Sequence, residues 1–363
     1  MKLPAPQKIL RVKFSLFPLL AFSLSLFFVF FILFLLTFSL FKPSQSYLSF
    51  QVRPKEILVS FQISKKNLKE WDPFFKRAGI SQEYLKGFSV PLEASLSPRL
   101  AFLNNLKVEL NILGSRLFFN TKIPDGKREI LGNFLSSAPS STLAYFEGDI
   151  ARSTLLAIYD WSPKIWKELL EKNLGENLAL FLVEEKDQLE FVVLSKKSEE
   201  EAKAIIGELP QVSQDFKKEE GYESLVGSSF RSGKIENIPV SHLSLPTPKG
   251  VSGRSSLVTT TYFANVLILT SQEETLPEVF TALRGEDTSF LGKAKKLTDG
   301  LPSFGSSMMV VLQPNEFLTK KFPSDFLTLT PQILSPVKNS DRIGGVIVVF
   351  APNELRGAVA LRE

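Results

Sequence analysis

The sequence predicts an α+β protein: a single N-terminal transmembrane helix followed by a mostly antiparallel α/β body with an internal duplication. Three observations carry that expectation. The chain opens on a long run without charge. Short apolar and β-branched runs then recur between turn residues and capped amphipathic helices. One strand-and-helix pattern returns after 163–166 residues.

The first element is the run from Phe14 to Phe41, 28 positions without a charged side chain. As a helix it would be about 42 Å long, against a hydrocarbon core of about 30 Å. Pro18 marks a first turn or kink, because an interior proline forfeits a hydrogen bond. Of the 23 residues from Leu19 to Phe41, 18 are Leu, Phe, Ile or Val. Each favours insertion by about 0.3–0.6 kcal/mol, which outweighs the hydroxyls of Ser23, Ser25, Thr37 and Ser39. A cleavable signal peptide has only about 7–15 apolar residues. The expected partner of residues 14–41 is therefore the lipid bilayer. Lys2, Lys8, Arg11 and Lys13 precede the run, while Lys42, Arg53 and Lys55 follow it. With the terminal amine, this bias predicts a cytoplasmic tail at 1–13 and an extracytoplasmic body on a single-pass protein of the cell membrane.

Pro43-Ser44-Gln45-Ser46 reads as a linker, bounding the segment 42–46. Beyond it, strands are expected at Glu56–Ile63, Val108–Leu113, Arg116–Thr121, Thr142–Phe146, Leu178–Val183 and Leu189–Leu194. Four more are expected at Leu257–Phe263, Val266–Thr270, Ser307–Leu312 and Gly345–Phe350. Gly114-Ser115 suits a two-residue hairpin turn, with glycine where φ must be positive. Glu184–Gln188 and Ala264-Asn265 are further hairpin connections.

Helices are marked by their caps. Ser198 with Glu201 is a capping box ahead of the stripe Ala202, Ile205, Ile206 and Leu209. Ser162-Pro163 fits an N-cap and a first-turn proline before Ile165, Trp166, Leu169 and Leu170. Ser271 with Glu274 opens a helix ending near Leu283, and Asp149 caps one over Ile150–Tyr159. These elements divide the body into an N-terminal α+β subdomain at 47–125, a first repeat at 126–218, a loop-rich connection at 219–253 and a second repeat at 254–363.

The repeat rests on two matches. Pro139-Ser140 with Thr142–Phe146 resembles Pro302-Ser303 with Ser307–Val311, and Val183–Leu194 parallels Val349–Ala360. Pro54 with Ile57–Phe61 and a Lys-rich helix after it forms a third, weaker copy. The order Ala138–Tyr145, the acidic helix Glu199–Leu209, Asn237-Ile238-Pro239-Val240, Tyr262–Thr270 and Gly300-Leu301-Pro302-Ser303 is similar to a bacterial family known as domain of unknown function number thirty-three fifty-two. The resemblance covers roughly residues 135–363. It implies a membrane-anchored protein with a repeated α/β body and brings no catalytic residues.

Composition closes several chemistries. Five of the 43 Lys and Arg lie in residues 1–42, which hold no acid, and the other 38 balance the 38 Asp and Glu. A neutral body is poorly suited to capturing nucleic acid, so no nucleic-acid partner is expected. The chain has no cysteine and one histidine, which removes disulfides, thiol nucleophiles and Cys/His zinc sites.

The remaining candidates each have an ordinary explanation. His242, in Pro239–Leu243, would be a general base, yet strand alternation makes it a partly satisfied side chain. Ser335-Pro336-Val337-Lys338 matches a serine–lysine pair, but Pro336 disfavours the helical start such a pair uses. Glu184-Glu185, Glu199–Glu201, Glu219-Glu220 and Glu286-Asp287 fall at turns and helix N-termini, where acids serve capping. Trp71, Trp161, Trp166 and Phe74-Phe75 suit a core, and the lysine doublets are dispersed as on a solvated face. No catalytic, cofactor-binding or metal-binding residue is assigned, and no cofactor is expected. The function expected is a membrane-tethered, non-enzymatic module acting in protein interaction or envelope structure, with envelope proteins as partners. The alternatives are a binding module for an apolar or envelope-derived ligand between the repeats and a carboxylate or Ser/Lys hydrolase.

Overall fold

The computed structural model describes residues 46–62, 88–91, 104, 106–123, 129–175, 178–185, 188–222, 229–248, 256–287, 289–314, 317 and 342–362. Strands β1 to β5 are Tyr47–Arg53, Glu56–Gln62, Phe88–Pro91, Lys107–Leu113 and Arg116–Lys122. Next come β6 (Glu129–Ile130), β7 (Thr142–Gly148), β8 (Leu178–Glu185) and β9 (Gln188–Lys196). Strands β10 to β13 are Phe230–Ile235, Ile238–Leu245, Ser256–Phe263 and Val266–Thr270. The last are β14 (Phe304–Gly305), β15 (Ser307–Leu312), β16 (Ile343–Ala351) and β17 (Glu354–Leu361). Helices α1 to α5 are Asp149–Ile158, Lys164–Asn173, Glu199–Asp215, Leu276–Leu283 and Ser289–Thr298.

Fifteen strands form one sheet, in the order β10-β11-β12-β13-β9-β8-β7-β15-β16-β17-β5-β4-β1-β2-β3. The pairings along it are antiparallel. The order reads outward from the β7–β15 contact: β8 and β9 on one side are matched by β16 and β17 on the other. The hairpin β12–β13 then extends β9, while β4–β5 extends β17.

Side-chain alternation explains how the sheet is covered. In β8, Leu180 and Leu182 point to one face, where they meet Ile150 and Leu155 of α1, Trp166 of α2 and Leu209 of α3. Ala179, Phe181 and Val183 point to the other, against Val279 and Phe280 of α4 and Phe290 of α5. Strands β7, β13 and β15 are buried along their whole length, as expected for the middle of a three-layer arrangement. In β4, by contrast, Val108, Leu110 and Ile112 are buried and the residues between them are exposed.

Local chemistry sets the turns and caps. Gly114 has φ 63° between β4 and β5, and Ala264 and Asn265 have φ 51° and 62° between β12 and β13. Positive φ at the first position of the one turn and at both positions of the other matches the right-handed twist of the flanking strands. Ser198 and Glu201 make the reciprocal capping box of α3. Pro163, not Ser162, is the N-cap of α2, and the Ser162 hydroxyl donates instead to the Tyr159 carbonyl at 2.6 Å. Asp149 is the first residue of α1, after Gly148 at φ 75°.

The fold class expected from the sequence is corrected. The body is dominated by one large antiparallel sheet with helices as coverings, rather than by successive α/β units. Hydrogen-bonded pairing joins the strands of both expected repeats and of the N-terminal subdomain into a single sheet. No helix among the described residues is long and apolar enough to cross a membrane. The transmembrane helix expected at 14–41 lies outside the described residues, as do most of the linker and the Lys-rich helix of the third copy. Within 219–253, expected as loop-rich, β10 and β11 form a hairpin turned at Glu236 and Asn237, both at positive φ.

Candidate functional site

The face of the sheet that carries α4 and α5 is apolar where those helices lie, and polar beyond them. Glu109 on β4, Asn120 on β5 and Arg356 on β17 are directly paired neighbours on one rung of the sheet. The rung continues inward through Val349, Met308 and Glu147. Directly opposed residues of an antiparallel sheet share a face, so these side chains form one row. Asn111 and Phe118 flank it, and Leu301 rises beside it. The resulting cleft has a volume of about 380 Å³.

Its polar groups are unequally partnered. Arg356 Nε lies 2.6 Å from Glu354 Oε1 on the same strand. That contact is an ion pair without hydrogen-bond geometry, and Arg356 Nε and Asn120 Oδ1 are both buried without a hydrogen-bond partner among the described residues. The Phe118 ring underlies the Arg116 guanidinium at 5.4 Å, and Arg116 donates to the carbonyls of Lys296 and Asp299 at the end of α5.

The matching place on the other side of β7–β15 is closed. Glu190 on β9 stands opposite Val183, as Arg356 on β17 stands opposite Val349. Glu190 is buried and accepts from Ser271 Oγ at 2.6 Å and Gln272 Nε2 at 2.8 Å. Ser271, expected to cap a helix, serves this carboxylate instead. The following chain forms the short turn Glu273–Thr275 and then α4.

Two further polar centres are internal. Glu147 accepts the Tyr145 hydroxyl at 2.8 Å and the backbone N–H groups of Gly132 and Asn133. Burial raises its pKa, and these donors partly offset that rise. His242 on β11 is buried, with Nδ1 3.1 Å from Thr259 Oγ1 and 3.3 Å from Glu273 Oε2. Burial, then the charge of Arg231, lowers its pKa, against an opposing pull from Glu273. Its ring edge also approaches Gly233, so β10 covers it.

The other sequence candidates separate. Glu201 belongs to the capping box of α3, and Asp287 accepts the Ser289 N–H at 2.9 Å at the start of α5. Glu219 accepts the N–H groups of Lys164 and Ile165, both at 2.9 Å, and so caps α2 from 54 residues away. Trp166 is buried against Tyr159, with ring centroids 5.7 Å apart. Ser335, Lys338, Trp71 and Phe74-Phe75 lie outside the described residues. No cluster of metal-ligating side chains occurs among the described residues. The row Glu109–Asn120–Arg356 had no signal in the sequence beyond polar positions at alternate places in three strands whose pairing is not legible. Comparison with protein-family models, curated proteins and solved structures finds no match for the chain.

Proposed function

We propose that the chain is a membrane-tethered, extracytoplasmic, non-enzymatic module acting through protein contacts or as a structural part of the envelope. The observation that carries this reading is the use of the interior. The central strands are packed on both faces, and Glu147 and Glu190, the carboxylates buried on the sheet among the described residues, are occupied by the chain's own donors. The space enclosed by α2, α3 and β13 amounts to only about 10 Å³. That space lies against β12 and β13, away from the β7–β15 contact, and is too small to hold an apolar ligand there. Carboxylates tied to caps and turns likewise speak against a hydrolase built on them.

Placement rests on the charge-free run at 14–41 and on the basic residues ahead of it. Because the chain has no cysteine, Ser289→Cys introduces a single exposed thiol. A membrane-impermeant thiol reagent should label it in intact cells; labelling only after lysis would reverse the topology. Crosslinking in the native envelope should return the same partner proteins reproducibly, and repeated absence of partners would remove the interaction role.

A further inference from the structure

We propose that the open cleft over Glu109, Asn120 and Arg356 is a carbohydrate-binding site for a short glycan. The inference stands apart from the membrane placement proposed above. Three observations point to a ligand. The cleft, at about 380 Å³, falls within the size range of small-molecule sites. It lies where the sheet changes from covered to uncovered. The corresponding place beside Glu190 is sealed by Ser271, Gln272 and the chain leading into α4, so among the described residues one of the two matched positions is covered and the other open. Asn120 Oδ1 and Arg356 Nε, on adjacent strands of its floor, are buried without a hydrogen-bond partner among the described residues, an arrangement that costs stability.

The side chains define the ligand class. Asn120 and Asn111 offer side-chain amides, Glu109 offers acceptors, and Arg356 offers guanidinium donors. A ligand meeting them must donate and accept at neighbouring atoms, which is the property of vicinal hydroxyls. A phosphate or carboxylate group would satisfy Arg356 and be repelled by Glu109 and Glu354. Phe118 and Leu301 add apolar surface suited to the C–H face of a pyranose ring. An extended peptide also donates and accepts, but β4, β5 and β17 already spend their backbone groups on one another, leaving side chains to do the reading.

The test uses full-length protein in a sugar-free detergent and saturation-transfer NMR. The probes are chitotriose, maltotriose and, for the peptide reading, trialanine. Saturation should pass to at least one trisaccharide and not to trialanine. Arg356→Met and Asn120→Leu should each weaken binding about tenfold or more. Glu109→Gln, at an exposed position that the core does not need, should also weaken binding while leaving the circular-dichroism spectrum and urea midpoint unchanged. No transfer to either sugar overturns the proposal. So does sugar binding unaffected by Glu109→Gln and Arg356→Met, or transfer to trialanine alone.

Discussion

The Tyr145 hydroxyl donates to the Glu147 carboxylate at 2.8 Å, and both side chains are buried on the same face of β7. The same carboxylate receives the N–H groups of Gly132 and Asn133, which ties the chain before β7 to the middle of the sheet. Burial raises the Glu147 pKa above its ordinary 4.5. A raised carboxyl favours the native state in its protonated form. That contribution is complete below the unfolded-state value and is lost as pH rises through the folded-state value. The native chain should therefore lose stability relative to Glu147→Gln as pH is raised from 4.5. Urea unfolding of both chains across that range measures it; a constant difference would refute it.

His242 titrates in the opposite sense. Burial and Arg231 lower its pKa from 6.5, so the fold prefers the neutral ring. Its contribution is present above 6.5 and is lost as pH falls through the folded-state value. His242→Gln should flatten this acid-side loss while costing packing at all pH values. Urea midpoints at successive pH values, compared with those of the native chain, would show it.

Glu219 should behave as a helix cap supplied from a distance. Pro163 makes no side-chain capping bond, and two N–H groups of α2 depend on the Glu219 carboxylate. Glu219→Ala should cost about 1 kcal/mol, the usual range for a lost cap being about 0.5–2. Glu220→Ala next to it, at an exposed position, should barely move the urea midpoint.

Two glycines with similar φ should respond very differently to alanine. Gly148 has φ 75°, and an added Cβ would stand 2.2 Å from the Ser306 carbonyl oxygen of the neighbouring chain segment. Gly114 has φ 63° with nothing within 4 Å. Gly114→Ala should cost about 1 kcal/mol of backbone strain. Gly148→Ala should cost about 2–4 kcal/mol, because the strand pairing itself must shift. Equal losses in thermal unfolding would contradict that contact.

The expected strands at Val108–Leu113, Arg116–Thr121, Val266–Thr270 and Ser307–Leu312 were legible because alternation or continuous β-branched burial is a local signal. β10 was not. Phe230–Ile235 is an edge strand with four exposed central residues, so its sequence carries little apolar pattern, and its hairpin turns at Glu236-Asn237. Glu219 read as one acid of a pair; its role depends on reaching α2 across 54 residues.

Amphipathic periodicity and most capping residues are properties of neighbouring residues, and they placed most of the described strands and helices, while the cysteine count by itself excluded cysteine chemistry. Strand order is a property of residues far apart. Only the tertiary structure decided that β7 pairs with β15, that outer hairpins extend β9 and β17, and that among the described residues a cleft opens over Arg356. Antiparallel backbones present the same hydrogen-bonding groups to any neighbour, so the choice among partners falls to packing on the two faces, which a linear sequence does not display.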